Sequence, residues 1–283
     1  MPLFRPAFVF PLVLPLAACA QSETPRKPPR LLTNEQGCSI TIDNQPINPY
    51  QDPSPIERAC VGPHLLELPQ NYYSTQMGPQ HDGSFRLALE YPSLQPFKPG
   101  ERMNLSADVS VRTVSIDYAY IDRIDVWQAF RNAYTPRSYE RDDPAASLET
   151  RIKGSPVHGL VPYYADLERI RARDRRTLGR EREPGIGPWY QDWFVVEDAT
   201  GQVATLIKCT SREATDPGVE FRSGTLVKNS VQGVPECTHS FILPGHHIIM
   251  NIRYPRMALA SWSRMQERAR RLFIDNIDKE RKP

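Results

Sequence analysis

Glycine is scarce, at 15 residues in 283, and the glycines present never assemble into a phosphate-cradling loop, a dinucleotide fingerprint or a Gly-x-Ser-x-Gly nucleophile turn. The sequence has no His-Glu-x-x-His, no Cys-x-x-Cys pair and no spaced His-x3-His, so no local zinc signature exists either. An excess of charge of one sign is missing too. Lys and Arg total 35 against 33 Asp and Glu, a formal net charge of +2. A general nucleic-acid binder carries a strongly basic face, so that class is excluded. No period of 20–50 residues recurs, which sets aside solenoids and propellers. These absences point to a protein that is not an enzyme and takes no cofactor, unless an active site is assembled from residues far apart in the chain. What the chain holds in plenty is proline, 28 residues, a sign of many loops and interrupted strands.

Long apolar runs are confined to the first residues. Arg5 provides a positive start, and residues 7–16 an apolar stretch interrupted by Pro11 and Pro15. That stretch is too short to cross a bilayer as a helix, which needs about 20 apolar residues. Leu16-Ala17-Ala18-Cys19 then fits a lipobox, the signal at which a lipoprotein is cleaved and its cysteine diacylated. Ala18-Cys19-Ala20 also satisfies the small-x-small rule of ordinary secretory cleavage, and the cysteine favours the lipobox. Both readings export the protein. The expected organisation is therefore a signal peptide over 1–18 and a polar, proline-rich, lipid-anchored tether over 19–37. Two α+β lobes follow, over 38–150 and 151–283. The expected location is the periplasm, with Cys19 holding the chain to a membrane; the resemblance to lipoproteins, with Ala20 rather than aspartate after the cysteine, implies the outer membrane.

With Cys19 set aside, Cys38, Cys60, Cys209 and Cys237 remain, an even number in an exported chain. Three pairings are open. Cys38–Cys60 and Cys209–Cys237 are favoured because each closes a short loop within one region.

The patterning predicts antiparallel sheets covered by amphipathic helices, an α+β fold in two lobes. Leu65–Leu68 and Phe85–Tyr91 read as short strands. Leu105, Ala107, Val109 and Val111 alternate with Ser106, Asp108, Ser110 and Arg112, which predicts a half-buried strand over 105–112. Tyr120, Ile124, Trp127 and Phe130 recur at helical spacing, predicting a helix over about 118–134. Residues 135–161, with Pro136, Pro144, Gly154, Pro156 and Gly159, mark a long loop or lobe boundary. An arginine-rich helix is expected from Tyr164, ended by Gly179, then a hairpin of 193–197 with 202–209, strands over 219–228, 237–243 and 246–254, and a terminal helix over 257–277 with Trp262, Met265, Ala269, Leu272 and Phe273 on its apolar stripe.

Candidate chemistry is thin. On a strand His246 and His247 point to opposite faces and cannot share a metal. His239 with Glu236 and Cys237 is discounted, because the cysteine is expected to be oxidised. Asp122 and Asp125, three apart on the expected helix, read as a solvated charged face beside Arg123 and Arg131. Ser84 and Ser223 lack the flanks of an activated nucleophile. Among 169–182 the arginines alternate with acids, which suits a salt-bridged exposed helix. The same side chains suit an acidic partner. Arg169, Arg173 and Arg176, with Tyr163 and Tyr164 as aromatic anchors, are the candidate partner contacts.

Two segments resemble a known family. Cys60-Val61-Gly62-Pro63-His64-Leu65-Leu66-Glu67-Leu68-Pro69 is similar to the opening strand of periplasmic immunity lipoproteins that accompany type VI secretion lipase effectors, and the ending resembles them too: a strand reaching Ile252-Arg253-Tyr254, then a Trp262-bearing helix to Ile277. The resemblance implies a two-lobed α+β protein that binds a cognate toxic effector and occludes its active site. It transfers no inhibitory residue. A structural or accessory envelope lipoprotein and an exported hydrolase with a dispersed site are the other readings.

Overall fold

The computed structural model describes residues 48–75, 84–181, 190–214, 218–231 and 233–277. In chain order it contains strands β1 (Ile56–Val61), β2 (His64–Pro69), β3 (Ser84–Glu90) and β4 (Gln95–Pro96), helix α1 (Ala107–Arg112), strand β5 (Thr113–Tyr120) and helix α2 (Val126–Arg131). There follow β6 (Ile152–Lys153), β7 (Val161–Tyr164), helix α3 (Leu167–Leu178), β8 (Asp192–Glu197) and β9 (Val203–Cys209). The last third holds β10 (Val219–Arg222), β11 (Thr225–Lys228), β12 (Glu236–Leu243), β13 (Ile248–Pro255) and helix α4 (Trp262–Ile274). The expected signal peptide, the tether with Cys19, and Cys38 all lie outside the described residues.

A nine-stranded antiparallel sheet in the order β4-β3-β5-β13-β12-β9-β8-β7-β6 organises these elements, with two separate hairpins, β1-β2 and β10-β11. The α+β expectation holds. Strands from both sides of residue 150 join this one sheet: β3, β4 and β5 precede it in the chain, and β5 pairs directly with β13. Both edge strands, β4 and β6, are only two residues long. Short edges leave little unpaired backbone to recruit another chain.

Period-two alternation separates the two faces of the sheet. On the first, Phe85, Leu87 and Leu89 of β3, Val114, Ile116 and Tyr118 of β5, and Met250, Ile252 and Tyr254 of β13 are buried against Met265, Ala269, Leu272 and Phe273 of α4 and against Val61, Leu66 and Leu68 of the β1-β2 hairpin. Each such large apolar side chain contributes about 1.5–3 kcal/mol on burial. The Tyr118 hydroxyl, buried with its ring, donates to the Ala269 carbonyl at 2.9 Å and so ties α4 to the sheet. Gly62 turns the β1-β2 hairpin with φ +56°, and a Cβ there would meet the Tyr120 ring at 2.2 Å. Only glycine satisfies both requirements.

Three sequence expectations are corrected. Residues 105–112 are not a strand: Leu105 is 74% exposed, and helix α1 begins at Ala107. The Ser106 hydroxyl accepts the Val109 N–H at 3.2 Å, so capping overrides the apparent alternation. The helix expected over 118–134 is likewise shorter. Tyr118 and Tyr120 complete β5, and α2 starts only where the Asp125 carboxylate accepts the Gln128 N–H at 3.0 Å. Asp125 is thus a helix cap, and Asp122 precedes the helix rather than sharing a face with it. His246 and His247 also leave the strand. They form the 3-10 turn and left-handed residue that join β12 to β13.

Candidate partner-binding surface

The sheet's second face is polar and only partly covered. Residues opposite one another in register share a face. One transverse row therefore runs Tyr163–Trp193–Lys208–Thr238–Arg253–Ser115, crossing β7, β8, β9, β12, β13 and β5. Lys153 of β6 extends it beyond Tyr163. The next row runs Val195–Leu206–Ser240–Asn251–Asp117–Arg86. Helix α2 covers the apolar part of this face, its Val126 and Phe130 clustering with Trp193, Val195, Leu206 and Ile242, with Tyr163 packed at the margin of the cluster. Thr238, Ser240, Asn251, Arg253, Ser115 and Asp117 remain half-buried and Arg86 is exposed.

The charges on this face divide into two groups. Asp117 holds Arg86 at 2.6 Å and Arg253 at 3.6 Å, which compensates both cations. Ser240 and Asn251 satisfy each other at 2.6 Å. A recess of about 250 Å³ lies beside them, lined by Arg86, Arg253, Ser110, Ser115 and Glu236. Burial raises the pKa of Glu236, opposed by Arg253. Around Trp193 the second group makes no ion pair among the described residues, although Glu140, Asp143 and Asp192 act on it from farther away. The Arg151 guanidinium and the Lys208 ammonium each stand 3.9 Å from the Trp193 ring centroid. Arg151 is buried and donates to the carbonyls of Gln191 at 2.5 Å and Ala145 at 2.7 Å. Lys208 makes no hydrogen bond or ion pair among the described residues. Burial, reinforced by Arg151 and opposed by Glu140, lowers its pKa to about 8.

The arginines expected to meet a partner sit on α3, which Asp166 caps by accepting the Arg169 N–H at 3.1 Å and Gly179 ends with φ +69°. Arg169 pairs with Asp166 at 3.3 Å and Arg173 with Asp143 at 3.3 Å. Arg176 is exposed and has no ion pair among the described residues. Tyr163 and Tyr164 separate: Tyr163 lies on the polar row, with the Lys153 ammonium 5.8 Å from its ring centroid, and Tyr164 turns the other way. Tyr164 lines a recess of about 370 Å³ with Asp166, Glu168, Asp192, Arg212 and Glu213, where the Arg212 guanidinium stacks 3.6 Å from its ring centroid. Asp192 is buried there, paired with Arg256 at 2.8 Å.

Cys209 and Cys237 face each other in register on β9 and β12 and form a disulfide. Cys60 is disulfide-bonded as well. His239 is buried on the opposite face from Lys208, bonded to Gln266. No group of three or more His, Cys, Asp and Glu side chains is placed to hold a metal among the described residues, and none of the described helices is long and apolar enough to cross a membrane. Sequence reasoning missed Arg86, Asp117, Lys208, Ser240, Asn251 and Arg253. The only available signal was the polar phase of each strand, and register alone brings those phases together.

No protein-family model matches the chain, and no curated protein does. Among solved structures the chain is similar to an immunity protein of the Stenotrophomonas maltophilia type IV secretion system, at 24% identity and a TM-score of 0.69, over 79% of this chain and 94% of that one. That likeness shows the fold the two chains share.

Proposed function

We propose that this chain is an immunity protein: it binds a toxic effector delivered by a secretion system and neutralises it by covering the effector's active site. The observation that carries this reading is the likeness in fold, along nearly the whole of the other chain, to an immunity protein of a secretion system. The half-covered polar sheet face supplies an interaction surface without adding a local catalytic signature. The protein works in the periplasm, anchored through lipid on Cys19 to the outer membrane. The cross-strand disulfide suits that oxidising compartment, and Cys38 closes the second one with Cys60. The effector is a lipase of a type VI system on the strength of the segments at 60–69 and 252–277, whereas the structural neighbour belongs to a type IV system. The two agree on the kind of partner and differ on the apparatus that delivers it. Arg169, Arg173, Arg176 and Tyr164 join the contact where the partner reaches round the β6 edge.

The test is co-expression. The product of the neighbouring gene, sent to the periplasm, is expected to arrest growth and to be tolerated when this protein accompanies it. Phospholipid hydrolysis by that product supports the lipase reading. A neighbouring product that is harmless, or equally toxic with and without this protein, removes the immunity function.

A further inference from the structure

We propose that the row from Lys153 to Arg253 is the docking surface for an acidic segment of the effector, with Lys208 as the anchor that receives a partner carboxylate. This deepens the immunity reading and rests on it. The row crosses six strands, which at about 4.8 Å per strand is a span of about 24 Å. That length suits one face of a helix or an extended strand of another protein rather than a single headgroup. Cations mark both ends and the middle: Lys153, Lys208 and Arg253, with Arg151 beside Trp193. The acids on this face serve the arginines, and Glu140 acts on Lys208 without touching it. Asp117 is shared between Arg86 and Arg253, and Glu236 sits at the margin beside Arg253.

Lys208 is the exception to this compensation. Its ammonium is half-buried against an indole, beside a second cation, and no carboxylate touches it among the described residues. Holding an ammonium away from water without a partner is unfavourable for the fold. An incoming carboxylate, excluded from water on docking, offsets that penalty at the moment of binding, which places the charge interaction in the complex rather than in the free protein. Half-buried Tyr163 is of a type enriched where interfaces concentrate their energy, while Trp193 and Arg151 are buried and support the Lys208 ammonium from within the fold. Thr238, directly opposite Lys208, is small and half-buried like the lysine itself.

The experiment measures affinity of the full-length protein for the purified product of the neighbouring gene by titration calorimetry. Lys208→Met is expected to weaken binding at least tenfold and Lys208→Glu at least a hundredfold, with a shallower salt dependence in both. Because Lys208→Met removes a half-buried charge that no ion pair holds, its melting temperature should match or exceed that of the wild type, a result that a merely structural lysine would not give. Thr238→Glu, which sets a carboxylate beside Lys208 in the same chain, is the second variant and should also lose at least tenfold. Lys98→Glu, at an exposed lysine off this face, should stay within threefold. Wild-type binding with the Lys208 and Thr238 variants within threefold overturns the docking surface and leaves the immunity function standing. A wild type that neither binds nor neutralises removes both. If Lys208→Glu instead abolishes binding to phosphatidylglycerol vesicles and leaves the protein partner's affinity unchanged, the row belongs to a lipid surface and the proposal is overturned.

Discussion

His239 gives the sharpest stability prediction. It lies in the middle of β12 with its ring at 0% exposure, among Phe241, Tyr254 and Trp262. Its Nε2 is 2.8 Å from Gln266 Oε1, and Nδ1 has no partner among the described residues. Burial lowers its pKa from 6.5 to about 4, with the Gln266 contact acting in the opposite direction. The unfolded chain therefore takes up a proton below pH 6.5 while the folded chain stays neutral down to about pH 4. The stability that neutral His239 provides is complete above the unfolded pKa and is lost as pH falls through that window. Between pH 7 and pH 4 the loss amounts to about 3 kcal/mol. Urea denaturation of the wild type and of His239→Gln, at both pH values, isolates this contribution, because the carboxylates titrate alike in the two proteins. The wild type should lose about 3 kcal/mol more than the variant. Parallel losses in the two proteins would refute a neutral, buried His239.

Three further outcomes follow from the disulfide and the packing. Replacing Cys209 and Cys237 together by serine frees a loop with a sequence separation of 28, so the chain-entropy account predicts a loss of about 3.5 kcal/mol, read by denaturant titration against the reduced and oxidised wild type. Phe273→Ala truncates a ring at 0% exposure and should cost about 3–5 kcal/mol. Trp262→Ala should cost less by the same measurement, since Trp262 is half-buried and its indole N–H reaches the His158 carbonyl at 2.9 Å.

Much of the fold was legible where periodicity and punctuation agree. The β8-β9 hairpin carries apolar runs on either side of Asp198-Ala199-Thr200-Gly201, and the α4 stripe of Met265, Ala269, Leu272 and Phe273 repeats at helical spacing and lands on the sheet. Gly179 ended α3 as expected because only the left-handed region closes that turn. The misread stretch, 105–112, has alternation and a helix cap in the same few residues. There the hydrogen bond from Val109 to Ser106 wins, because the segment is too short for alternation to bury a full face. Tyr120 was read with Ile124 as a helical pair, yet Ile124 is 45% exposed and Tyr120 belongs to β5. The surface was harder still. The sequence groups Tyr163 with the α3 arginines, whereas its neighbour across the sheet is Trp193, which in turn stands opposite Lys208, both far along the chain and brought near only through strand register. A linear sequence carries the polarity of each strand but not which residues stand opposite one another.

The central claim, that this protein grips a secreted effector through its open sheet face, is met most directly by zero-length carbodiimide cross-linking of the wild type with the neighbouring gene's product, mapped by mass spectrometry. The account predicts amide links from Lys208 and Lys153 to aspartates or glutamates of the partner. Links arising only from lysines off this face, such as Lys98 or Lys228, or no complex at all, would contradict it.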